Sequence, residues 1–139
     1  MRERMVTLAS EGFACAQIMM ILVLESEDKS DPDLIRTVGA LNNGVRDTGN
    51  ICGAFTGGAC MLSYFAGQGE RDEVSEPSLD AMTQELYDWF AALARARYGD
   101  VTCPAVLEGD ATNKLVRCPQ LVEETFSKVV ELLEREGLL

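Results

Sequence analysis

Phe13-Ala14-Cys15-Ala16-Gln17-Ile18-Met19-Met20-Ile21-Leu22-Val23-Leu24 is the most apolar stretch of the chain, twelve residues interrupted only by Gln17. A helix that is apolar nearly all round is buried on several sides, whereas a bilayer-crossing helix needs about 20 residues. The stretch therefore predicts a central buried helix over about residues 14–24, with no membrane insertion. Glu11 stands just before it and Glu25-Ser26-Glu27-Asp28 just after, which leaves no small-residue cleavage site of the kind a signal peptide carries. The expected location is cytoplasmic.

Working outward, helical periodicity continues on both sides and no run of alternating β-branched residues interrupts it. Met1, Met5 and Leu8 form a short stripe ending near Gly12. Asp31-Pro32 is a helix start, followed by Leu34, Ile35, Val38, Leu41 and Val45 on one side and stopped by a polar loop at Arg46 to Asn50. Ile51 to Cys60 is rich in glycine and runs on through Met61, Leu62, Tyr64 and Phe65 as a helix ended by Gly67-Gln68-Gly69. Three glycines within six residues, each costing roughly 1 kcal/mol in a helix interior, need a reason such as close backbone approach. After the acidic linker Glu70 to Glu76, a stripe from Leu79 through Met82, Leu86, Trp89, Phe90 and Leu93 reaches Tyr98 and reads as the longest amphipathic element. Thr102-Cys103-Pro104 and Cys118-Pro119 read as two further helix starts, the second leading into Val122, Phe126, Val129, Val130 and Leu133. The expectation is an all-α fold, a single helical domain over residues 1–139 with six or seven helices around the central one.

Composition narrows the chemistry. At 139 residues the chain can bury roughly 68% of its unfolded surface in one core. A formal net charge of -11 argues against nucleic acid as a partner, since phosphate backbones are held by Lys/Arg clusters. The chain has no histidine and five cysteines. That removes Ser-His-Asp and Cys-His catalysis, histidine-ligated metals and C-x-x-C-H haem attachment together, and leaves thiol chemistry. Glycine spacings do not form a phosphate loop, because neither Gly39 to Gly44 nor Gly53 to Gly58 is followed by lysine. Glu25 to Asp33 lacks the spacing of a calcium loop and reads as a solvated linker. Nothing singles out two of the 23 acidic residues as a hydrolytic pair, and Trp89 and Phe90 read as core.

Four cysteines fall at expected helix starts: Cys15 in the first turn of the central helix, Cys52 at the entrance to the glycine-rich helix, and Cys103 and Cys118 each before a proline. Free N–H groups and the positive end of the helix dipole stabilise a thiolate at such positions, and the thiolate is both nucleophile and metal ligand. Cys60, in mid-helix, reads as packing. The small residues Gly53, Ala54 and Gly57 clear space around Cys52, either for a helix carrying Cys15 or for an incoming thiol or cluster; Gly53 and Gly57, one turn apart, share a face.

Gly12-Phe13-Ala14-Cys15-Ala16-Gln17, the central Cys52-Gly53-Ala54-Phe55-Thr56-Gly57 and the later single Cys103 and Cys118 together make the chain resemble the redox-active protein family named for its C_GCAxxG_C_C pattern. The resemblance spans nearly the whole chain. It implies a helical protein whose working set is Cys15, Cys52, Cys103 and Cys118, with Cys60 outside, and it supplies no substrate.

Three functions stay open. One is a redox protein, a candidate thiol-disulfide oxidoreductase, in which one thiolate attacks an oxidised partner and a second cysteine resolves the mixed disulfide; four cysteines allow three pairings. The partner would be a thiol or an electron-transfer protein, and a homo-oligomer is compatible with the sequence. Another is a metal site, zinc or an iron-sulfur cluster, ligated by Cys15, Cys52, Cys103 and Cys118. Against it, the intervals of 37, 51 and 15 residues contain no C-x-x-C chelating pair. The third is a non-enzymatic helical interaction module with structural cysteines.

Overall fold

The computed structural model describes residues Met1–Leu139 and is 73% helical, without strands. Seven right-handed α-helices follow one another: α1 (Arg2–Ser10), α2 (Cys15–Ser26), α3 (Pro32–Val38), α4 (Gly53–Ala66), α5 (Leu79–Tyr98), α6 (Cys103–Leu107) and α7 (Lys114–Arg135). Two single turns of 3-10 helix, Gly39–Leu41 and Ala111–Asn113, join them. No helix is long and apolar enough to cross a membrane.

The apolar stretch becomes α2, burying Ala16, Ile18, Met19, Met20, Val23 and Leu24. It lies along α4, which packs on its other sides against α5 and α7. The glycines of α4 explain these approaches. A Cβ on Gly57 would stand 2.9 Å from Met19 Sδ and 3.0 Å from the Ala16 Cα of α2, while one on Gly58 would stand 3.0 Å from Thr125 Cγ2 of α7 and 3.1 Å from Leu86 Cδ2 of α5. Two adjacent glycines thus serve two different faces, and the helix-propensity cost of each is offset by helix contact on its own side. Around the far half of α4, Met61, Leu62, Leu86, Phe90, Val129 and Leu132 are all at most 1% exposed.

Local signals set several ends. The Asp31 side chain accepts from the Leu34 N–H with Pro32 at the first position, Thr102 accepts from the Ala105 N–H ahead of α6, and Gly99 closes α5 in a left-handed conformation.

Three expectations are corrected. Helix α3 stops at Val38 and does not carry Leu41 and Val45 on one continuous face. The longest amphipathic helix is α7, at 22 residues, and not α5, at 20. Cys118-Pro119 does not start a helix: α7 begins at Lys114 and Pro119 lies inside it. The acceptor that proline leaves without an intrahelical donor is the Leu115 carbonyl, on a residue 83% exposed, so water can take the missing bond.

Residues Asn43 to Arg46 make a turn of left-handed helix, with φ/ψ of 56/45, 68/52, 57/63 and 55/49 degrees, inside the segment Asn42–Asp47. Asp47 continues it at φ 65. Left-handed helix costs L-residues roughly 1–2 kcal/mol each, and β-branched Val45 is the least suited. The turn is held by the residues that follow it. The Asn50 N–H donates to the Gly44 carbonyl at 3.2 Å, and the Thr48 hydroxyl donates to the Gly44 and Val45 carbonyls.

Candidate functional site

The left-handed turn sits at the place where the cysteine-bearing segments meet. Cys15 is the first residue of α2, Cys52 precedes the first residue of α4, and Cys103 is the first residue of α6. Cys118 stands one turn into α7. Ile51 and Thr102 form an isolated antiparallel bridge. Beside it the Cys52 N–H donates to the Val101 carbonyl at 2.9 Å and the Cys103 N–H to the Asn50 carbonyl at 3.0 Å, which lays the starts of α4 and α6 side by side. A Cβ on Gly53 would overlap Cys15 Sγ and stand 3.1 Å from the Leu41 carbonyl oxygen, and one on Gly44 would stand 2.9 Å from Cys103 Cβ. Glycine at 53 is what lets the Cys15 sulfur reach the residue next to Cys52.

Electrostatic coupling reports the same gathering. The Cys52 thiol feels Cys15, Cys118 and Cys103, Cys118 feels Cys15 and Cys103, and Cys103 feels Cys15. Every pair that the four can form is represented. Cys60 couples to none of them; burial alone raises its thiol, and it packs against the core from the middle of α4. All five cysteines are free thiols, and no three Cys, Asp or Glu side chains converge on a point that could hold a metal ion.

Burial dominates the proton affinity of three members. It pushes the Cys118 thiol up to about 12, with Cys15 and Cys103 adding to the effect and Lys114 opposing it. Cys52, 5% exposed, is raised strongly, by burial first and then by Cys15, against the lowering effect of the Ala54 N–H. Cys103 is raised by burial and Cys15, with Lys114 lowering and Asp47 raising it. The expectation that helix starts make these sulfurs acidic is therefore overturned for Cys52, Cys103 and Cys118. Desolvation of the charged form outweighs the helix end, and for Cys118 the helix end is absent.

At Cys15 the first turn of α2 is satisfied from elsewhere. Ala14, the N-cap, has no side-chain acceptor; the carboxamide oxygen of Asn42 accepts instead from the Ala16 and Gln17 N–H groups at 3.1 and 3.3 Å. Asn42 Nδ2 donates to Gln17 Oε1 at 2.9 Å, the Ala14 N–H donates to the same oxygen, and Gln17 Nε2 donates to the Ile35 carbonyl. Gln17, the one break in the apolar stretch, is thereby the residue through which a buried asparagine fixes the helix that carries Cys15. Sequence reading missed Asn42, because a cap supplied from 26 positions away leaves no local pattern.

Cys15 and Cys118 line a groove of about 420 Å³, while Cys52 and Cys103 do not. A thiol that keeps its proton is a poor nucleophile, and of the four only Cys52 is buried, while Cys15, Cys103 and Cys118 are half-buried.

A family model described as "Putative redox-active protein (C_GCAxxG_C_C)" matches residues 13–132, a span that contains every cysteine of the chain. No curated protein and no solved structure gives a significant match.

Proposed function

This chain belongs to the C_GCAxxG_C_C family, and from that premise we propose that it is a thiol-disulfide redox protein whose working residues are Cys15, Cys52, Cys103 and Cys118. The observation that carries the proposal is the meeting of the four cysteine-bearing segments: a Cβ on Gly53, next to Cys52, would overlap Cys15 Sγ, the starts of α4 and α6 are bonded side by side, and Cys118 lines the same groove as Cys15, while Cys60 packs in mid-helix. Disulfide exchange needs a second thiol beside the first, because the mixed disulfide formed by the attacking sulfur is released only when a neighbouring sulfur displaces the partner. An odd cysteine number suits a compartment that keeps thiols reduced, such as the cytoplasm, where disulfides are transient and catalytic.

The test is to expose the reduced protein to a small-molecule disulfide, trap the remaining thiols by alkylation, and map the products by peptide mass spectrometry. The expected result is loss of thiols in pairs drawn from the four, with Cys60 alkylated throughout. A protein that forms no disulfide among the four, or forms one through Cys60, overturns the proposal. So does anaerobically prepared protein that carries stoichiometric metal and has the four thiols blocked, which would assign them to a tetrathiolate site.

A further inference from the structure

The groove that Cys15 and Cys118 line runs between α1, α2 and the start of α7. Its volume of about 420 Å³ is that of a small-molecule site, for which about 300–1,000 Å³ is usual. Met5, Phe13, Ile18, Pro119 and Val122 give it an apolar wall, and Leu115 forms a strongly exposed lip. Its polar lining is sparse: Ser10, Asn43 and Lys114 besides the two sulfurs.

Lys114 is the single charged residue on that wall, in a chain of net charge -11. It takes part in none of the ion pairs of the protein. It is also the first residue of α7, where the helix dipole disfavours a cation. Its charge acts on both Cys118 and Cys103. An unpartnered cation, placed against the dipole in an apolar groove beside two of the four sulfurs, is a receptor for one negative charge.

We infer that this groove is the substrate site and that it takes a low-molecular-weight disulfide carried on an apolar chain with a carboxylate that pairs with Lys114. The inference rests on the redox reading above and names its substrate class. A polar, peptide-like disulfide would lose its hydration against Met5, Phe13 and Ile18 with few hydrogen-bond partners in return, whereas an apolar chain gains from the same wall. The reaction balances without a further reagent. The Cys15 thiolate attacks one sulfur of the substrate disulfide, so that a Cys15-substrate S–S bond forms, the substrate S–S bond breaks, and the departing sulfur takes up a proton. Cys118, Cys52 or Cys103 then attacks Cys15 Sγ, forming a protein disulfide and releasing the second substrate sulfur, which takes the proton given up by the resolving thiol. The protein loses two electrons and the substrate gains two.

Octanoate, a redox-inert apolar carboxylate, tests the site apart from the chemistry. Neutral iodoacetamide would be used to alkylate the reduced protein with octanoate, with octanamide, or with neither, each cysteine being followed by mass spectrometry. Octanoate is expected to slow Cys15 and Cys118 at least tenfold and to leave Cys60 unchanged. Octanamide should protect several-fold less, and Lys114→Gln should bring octanoate down to the level of octanamide. Equal protection by acid and amide, no protection, or protection that survives Lys114→Gln overturns the inference. Protection present without ligand and rising with protein concentration overturns it too, by giving the groove to a second copy of the chain. Disulfide mapping of the same preparations separates the two readings: disulfides within the four without octanoate protection sink the groove alone, and their absence sinks the redox reading.

Discussion

The two ends of α4 are built differently. Around its far half, packing is apolar and ordinary: Met61, Leu62, Leu86, Phe90 and Val129 are buried to within about 1%, and only Thr125 Oγ1 lacks a hydrogen-bond partner. Around its start, the chain tolerates a left-handed turn, a helix capped by a side chain from another segment, and three thiols whose ionisation burial opposes. Stability in the first region comes from area removed from water. In the second it is conceded for position, as is common where strained backbone and buried titratable groups collect at a site.

The largest effect that would sharpen this contrast lies at Gly44. Its φ is +68, and a Cβ there would meet the Asn50 carbonyl oxygen at 2.5 Å and Cys103 Cβ at 2.9 Å. Gly99 shares a positive φ, +87, but a Cβ there meets nothing within 4 Å. Alanine at either position meets the left-handed penalty of roughly 1–2 kcal/mol; only at position 44 does it add a backbone clash. Gly44→Ala should cost about 3 kcal/mol or more and Gly99→Ala about 1 kcal/mol, measured as denaturant midpoints at constant slope. Equal losses would mean that the turn is not tied to the Cys103 segment.

Next in size is the cap of α2. Asn42→Ala removes the acceptor of one buried and one part-buried N–H group and a partner of Gln17, so about 2–3 kcal/mol is expected. Asp31→Ala removes an exposed cap with one bond and should cost about 1 kcal/mol. Alkylation of Cys15 should accelerate in the first variant and stay unchanged in the second. If the two caps prove equivalent, the thiol end is no more interlocked than the surface.

How much of this could be read from sequence follows from which signals are local. The apolar run of α2 and the Leu79–Tyr98 stripe declare themselves because burial on a helix repeats every 3.6 residues, and Asp31-Pro32 and Thr102 declare caps within one turn. Motif and position also single out Cys15, Cys52, Cys103 and Cys118 and leave Cys60 aside, a division that the thiol-trapping experiment tests. Pro119 points to a helix start because proline favours first turns in general, whereas α7 begins at Lys114, and the exposure of Leu115, whose carbonyl loses its donor to the proline, has no signature. Asn42-Asn43-Gly44 carries residues that accept left-handed backbone, but Val45 and Arg46 do not, and only the surrounding contacts hold them there. The acidity expected of the cysteines failed for a related reason: helix ends are local, whereas the burial that overrides them is set by distant segments.

The smallest effect distinguishes Cys52 from Cys60 through pH. Burial raises both thiols, but Cys52 also faces Cys15, Cys103 and Cys118, and Cys60 faces no other ionisable group that shifts it. A thiol whose folded pKa is raised contributes stability that is fully present below its unfolded value of 9.0 and is lost as pH rises toward the folded value, because the unfolded chain releases the proton first. Between about pH 9 and 11 the reduced protein must therefore lose stability that a variant without the thiol does not lose. Cys52→Ala should be destabilising at pH 7 through lost packing, and that deficit should shrink by up to about 1.4 kcal/mol per pH unit above 9. Ionisable groups remote from Cys52 titrate in the same range, but they are common to both proteins and cancel in the difference. Cys60→Ala should show a shallower trend, since a half-buried sulfur keeps part of its hydration when it ionises. Parallel trends for the two variants would show that the charge of the neighbouring thiols adds nothing to the burial that any core cysteine experiences.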